Sequence, residues 1–211
     1  MVSVLNGVLY FVGFEVSGWF LGKFNAKLNF GFRTVNYMIC LLIAASISIC
    51  ISPVLFVLDR RDDVNFVTAR LFYLFSRVLL GYTVEVENAE YLDKQPCVFI
   101  GNHQSALDLV WLGATLPKHA VTIAKYSIKF VPILGWFMVI GENIFIKRGN
   151  KKSAHHLFEQ ASKIINRKNL SVFFFPEGTR GFHPNGPDLL PFKKGAFLLA
   201  KSAKVPIVPI V

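Results

Sequence analysis

The sequence predicts an α/β fold, a mostly parallel central sheet with flanking helices, preceded by an N-terminal membrane-embedded helical segment. Three observations lead there. From residue 83 onward, short apolar runs of strand length alternate with helical patterns, the texture of a buried sheet. Residues 37–58 form a 22-residue stretch without a charge. The 211-residue chain is 53% hydrophobic and 17% charged, with 21 Phe, against a usual charged share of about 25%. That composition excludes a disordered tail, a collagen-like chain and a coiled-coil rod. Three cysteines, two of them inside an apolar run, do not make a secreted disulfide framework, and no Cys/His cluster has zinc spacing.

The elements follow in chain order. Residues 2–21 are apolar but interrupted by Asn6, Glu15 and three glycines. They lack a basic leader and a small-residue cleavage site, which argues against a removable signal peptide. A second span and a helix lying in the interface both fit this stretch. Residues 37–58 reach roughly 33 Å as a helix, against a hydrocarbon core of about 30 Å. Lys23, Lys27 and Arg33 on one side and Arg60, Arg61 and Arg70 on the other leave the orientation undetermined. Residues 64–80 place Arg70 and Arg77 on one face of an otherwise apolar helix. Strands are expected at 83–87, 97–101, 120–124, 143–147, 171–175 and 206–211. Helices are expected at 105–114, 126–140 (broken by Pro132), 151–167 and 194–203. The division is 1–60 as membrane-anchoring helices and 61–211 as the α/β domain.

Charge divides the chain as well. Residues 1–117 carry 8 Lys/Arg and 9 Asp/Glu, whereas residues 118–211 carry 15 Lys/Arg and 4 Asp/Glu. A basic half joined to an apolar half suits anionic headgroups or a phosphorylated substrate. No nucleic-acid motif is present, so nucleic acid is not the expected partner.

Three sequence blocks hold residues with chemical capability. Asn102-His103-Gln104-Ser105-Ala106-Leu107-Asp108 follows an apolar strand. On a continuous helix, residues five apart stand about 140° apart around the axis. His103 and Asp108 therefore meet only if His103 sits in the turn before the helix. In that geometry the carboxylate orients an imidazole base; the competing reading is a capping His with a first-turn Asp on the helix dipole. Ser105 lacks a G-x-S-x-G elbow, so a base at His103 would serve direct attack by a substrate hydroxyl. Phe173-Phe174-Phe175-Pro176-Glu177-Gly178-Thr179-Arg180 is an apolar strand ending in a polar turn, where Glu177 and Arg180 emerge. Ile144-Phe145-Ile146-Lys147-Arg148 ends another strand in positive charge, and the planar fork of Arg148 suits phosphate. Lys125, Lys129, Lys193 and Lys194 read individually as surface lysines.

N-H-Q-S-A-L-D, I-F-I-K-R, F-P-E-G-T-R and V-P-I-V-P-I, in that order, resemble the four blocks of the glycerolipid acyltransferase family, in particular its 1-acyl-sn-glycerol-3-phosphate acyltransferases. K-Y-S-I-K-F-V-P-I-L-G-W and P-F-K-K-G-A-F look like the same family, and the resemblance covers about residues 64–211. It implies transfer of a fatty acyl group from acyl-CoA to the sn-2 hydroxyl of lysophosphatidate, forming phosphatidate in phospholipid biosynthesis. It further implies His103 as the base of an H-x4-D motif and Asp108 as its partner. Arg148, Glu177, Gly178, Thr179, Arg180 and Lys125 then form the acceptor site. Acyl-CoA is a co-substrate; no metal or bound organic cofactor is called for. The partners are lysophosphatidate, acyl-CoA and membrane lipids, and the setting is an integral protein of the endoplasmic reticulum. The alternatives are another lysophospholipid or glycerol 3-phosphate as acceptor, or an inactive membrane relative acting as an interaction partner. The sequence stops at Val211 inside the fourth block, where family members continue; the expectation is a fragment or short form lacking part of the sheet edge and acyl pocket.

Overall fold

The computed structural model describes residues 13–20, 22–147, 151–181 and 189–211. Residues 13–20 are helical. Helix α1, Ala26–Val57, begins where the Asn25 side chain accepts from the amides of Lys27 and Leu28 (2.9 and 3.2 Å). It contains the expected apolar stretch, with Pro53 inside it, and reaches a mean hydropathy of 2.5 over its most apolar window. Among the described residues it is the one helix long and apolar enough to cross a membrane. Helix α2, Asp63–Leu80, returns along it and ends on Gly81, whose φ of 71° closes the last turn.

Five strands follow: β1 (Val98–Gly101), β2 (Ala120–Lys125), β3 (Ile144–Ile146), β4 (Ser171–Phe174) and β5 (Ile207–Ile210). They form one parallel sheet in the order β3-β2-β4-β1-β5. The connections carry α3 (Asp108–Thr115), α4 (Leu134–Ile140), α5 (Lys151–Lys168) and α6 (Gly195–Ala203). The expected break at Pro132 is real: a 3₁₀ turn at Tyr126–Phe130 precedes it and α4 follows. The strand expected at 83–87 is not formed. Its alternating pattern has no strand beside it, and most of its residues are exposed.

Alternation along the strands builds two cores. Val98, Val172 and Phe174 face α5 and α6, packing with Phe158, Ile165 and Leu199. Phe99 and Phe173 face the other way, onto Leu112 and Leu116 at α3. Helix α3 also turns Val110 toward Tyr37, Cys40 and Phe72 of α1 and α2, so the helical layer is packed onto the sheet domain through α3. A buried polar knot adds to this. Asn65 of α2 donates to the Gly141 carbonyl (2.7 Å), and Asn143 donates to Asn65 while accepting from the Thr122 amide (2.7 Å). Because all four pairings are parallel, every strand runs with its C-terminal end toward the same edge, and the described candidate residues lie on that side.

Candidate active site

Strand β1 delivers the chain to this edge at Gly101. A side chain there would meet Trp111 at 2.5 Å, so the aromatic cluster beneath the site depends on glycine. That cluster is Trp111, Phe173 and Phe175, with Phe173 and Phe175 edge to face at 4.8 Å between centroids. His103 lies in the turn between β1 and α3, outside the helix. Its Nδ1 is 2.8 Å from Asp108 Oδ2. Asp108, first residue of α3 and buried, also accepts from the amides of Gln104 (2.8 Å) and Ser105 (3.0 Å) through the same oxygen. The carboxylate thus shapes the turn as well as the ring, and its position in the first turn of α3 suits the helix dipole. The imidazole stacks on Phe175 at 4.0 Å and 21°. With Nδ1 committed to Asp108 as donor, Nε2 is the ring nitrogen left to accept a proton.

The polar turn after β4 braces this histidine from both sides of its peptide. Glu177 Oε1 accepts from the His103 amide (2.8 Å), and the Gly181 amide donates to the His103 carbonyl (2.9 Å). Glu177 Oε2 accepts from the Leu190 amide (3.1 Å). Glu177 is only 2% exposed, so both its oxygens serve backbone amides in the interior. Gly178 has a φ of 69°, and a Cβ there would meet Lys193 Nζ at 2.6 Å. Thr179 and Arg180 are exposed on the same turn. Lys125 ends β2, exposed, two strands away from β1. Arg148 lies outside the described residues.

Sequence reasoning did not single out four participants. In the sequence Phe175 reads as part of a strand, and Leu190 as part of a loop. Lys193 reads as a surface lysine, yet it comes over Gly178, and the Lys193 amide donates to the Pro176 carbonyl (2.9 Å). Tyr37 reads as the start of an apolar stretch, yet its hydroxyl donates to the Ala106 carbonyl, inside the H-x4-D turn. Two of them have a sequence signal, Phe175 at the head of F-P-E-G-T-R and Lys193 in P-F-K-K-G.

A parallel sheet with a histidine held by a carboxylate at its C-terminal edge defines the class, an α/β protein that carries titratable groups at its strand ends. The acyltransferase family model matches residues 83–211, and the chain belongs to that family. It is 38% identical over 154 residues to a 1-acyl-sn-glycerol-3-phosphate acyltransferase of Saccharomyces cerevisiae, covering 73% of this chain and 50% of that protein. With the human 1-acyl-sn-glycerol-3-phosphate acyltransferase beta, identity is 44% over 132 residues, covering 62% and 46%. With the alpha form of Ovis aries it is 36% over 194 residues, covering 92% and 64%. The chain spans about half the length of the first of these relatives. Among solved structures, PlsC, the 1-acyl-sn-glycerophosphate acyltransferase of Thermotoga maritima, shares the fold, with a TM-score of 0.52 and 22% identity over 81% of this chain and 73% of that one.

Proposed function

We propose that this chain transfers a fatty acyl group from acyl-CoA to the free hydroxyl of lysophosphatidate, at a membrane surface to which residues 1–60 hold it. The observation that carries the reading is the 2.8 Å contact between His103 Nδ1 and Asp108, made in a turn whose peptide is pinned by Glu177 and Gly181. The relatives' names supply the acceptor, and the H-x4-D resemblance supplies the roles.

In this reading His103 Nε2 takes the proton of the acceptor hydroxyl as its oxygen attacks the thioester carbonyl. Asp108 holds the tautomer and stabilises the imidazolium that forms. The tetrahedral intermediate collapses with loss of the CoA thiolate, which recovers the proton from His103. The new ester bond replaces the thioester, and no acyl-enzyme forms. Arg180, with Arg148 and Lys125, supplies positive charge for the acceptor phosphate, and Gly178 and Thr179 form the wall of that site. Glu177 is a positioning residue, holding the peptide of His103.

The test is an assay of purified protein with lysophosphatidate and labelled acyl-CoA, alongside other lysophospholipids and glycerol 3-phosphate. His103→Ala should lower kcat by about 10²–10⁴ without releasing the protein from membranes. Retention of more than about a tenth of kcat would remove the base from the mechanism.

A further inference from the structure

Away from the acyl-transfer turn, a cavity of about 210 Å³ opens where the chain before α1, the first turns of α1 and the end of α2 meet. Its apolar walls include Trp19, Phe32 and Leu80, and its polar groups are Lys23, Asn29 and Arg33. Among the described residues no carboxylate lines it. Glu15, the one acidic residue in the described part of 13–57, is engaged elsewhere, accepting from Asn36 at 3.1 Å. Lys23 Nζ stands 3.6 Å over the Trp19 ring. Arg33 donates one N–H to the Leu80 carbonyl at 2.8 Å, which offsets the negative end of α2. A guanidinium has five donors, so the same group retains donors for a second partner.

The surroundings are those of a lipid. Trp19, Phe24 and Phe30 are exposed at 62%, 76% and 74%. Water is a poor neighbour for these exposed rings, of which Trp19 lines the cavity, whereas acyl chains are a good one. Two cations that pair with no carboxylate among the described residues, set among aromatic and aliphatic walls, match a compact multiply charged anion that carries hydrocarbon. Arg33 is also one helical turn, about 6 Å, from Tyr37, which touches the H-x4-D turn.

We propose that this cavity binds the headgroup of a phosphate-monoester lipid, at a site separate from the one where acyl transfer occurs. The phosphate lies between Lys23 and Arg33 with Asn29 beside it, and the chains run over the exposed apolar side of α1. One chain or two distinguishes the two sources of this headgroup, lysophosphatidate and phosphatidate.

The experiment is native mass spectrometry of the full chain in detergent, carrying His103→Ala so that nothing turns over. The probes are lysophosphatidate, phosphatidate, phosphatidylcholine and inorganic phosphate. Lys23→Ala with Arg33→Gln should carry one phosphate-monoester lipid fewer per chain than the parent, through at least a tenfold loss of affinity. The probe that is lost names the source. Lys23→Ala alone leaves the Arg33–Leu80 bond in place and should still weaken binding several-fold, which keeps the test readable if the double variant does not fold. Unchanged occupancy in Lys23→Ala, equal occupancy by phosphatidylcholine, or displacement by equimolar inorganic phosphate would each overturn the proposal. Because the readout is bound lipid, failure of acyl transfer and failure of this site are seen separately.

Discussion

Glu177 is where charge and burial work against each other most plainly. A carboxylate at 2% exposure persists because its oxygens accept from His103 and Leu190. Glu177→Gln turns an amide N–H₂ toward one of those donors, leaving a buried group unpaired at about 1–3 kcal/mol. We expect a lower melting temperature and a lower kcat, with KM for lysophosphatidate within about twofold, because binding groups are untouched. A raised KM at unchanged stability would make Glu177 a substrate contact instead. Cys97 offers a test of another kind. Burial pushes its thiol from 9.0 up to about 11, against a weaker opposing contribution from Ser171. The unfolded thiol therefore loses its proton first. The stabilisation is complete below pH 9 and is lost as the pH rises through about 11. Chemical denaturation midpoints should fall over that window more in the native sequence than in Cys97→Ala, and maleimide at pH 8 should reach Cys97 only on unfolding. The spacing of His103 and Asp108 was legible in the sequence because five residues across a strand-to-helix turn admit few geometries. The inward aim of Glu177 was not, since a polar turn reads as solvated until the loop carrying Leu190 is seen against it.

At the scale of elements, α1 does two things at once. Asn36, Tyr37, Cys40, Leu41, Ala44, Ala45 and Ser48 form its buried stripe against the rest of the protein, and its remaining faces are largely apolar and exposed. The sequence could not separate these faces, because a stretch without charge offers no contrast between sides. It did reveal the stretch itself, and the strand-length runs at β1 to β5. It overreached at 83–87, where alternation alone cannot supply a neighbouring strand. Two outcomes follow from the double role. A fusion carrying only residues 37–58 should insert into bilayers and resist carbonate extraction; washing off would mark the segment as peripheral. Tyr37→Phe keeps the ring on Phe72 (5.1 Å, 86°) and removes only the bond to Ala106. That loss is about 0.5–1.5 kcal/mol, and it should appear as faster amide hydrogen exchange across 103–108 with α1 still protected.

For the whole molecule, β4 and β1 sit inside the sheet, with Phe173 at 1% exposure between Trp111 and Phe175. Phe173→Ala should cost about 3–5 kcal/mol, measurable by denaturant titration, and should loosen the floor under His103. The α/β class was readable from alternating element types, but the strand order was not, because crossovers are set by packing between distant segments. That order also governs how the protein is made. Val98 pairs with Val172 on one side and with Ile207 on the other, so both neighbours of β1 leave the ribosome long after it does. During synthesis α1 and α2 can associate at once, while the strand bearing the histidine waits with two bare edges, the state most exposed to aggregation. A nascent chain arrested after α5 should therefore hold its helical pair and still be sensitive to protease across 98–108, and protection there should arrive only when β5 emerges.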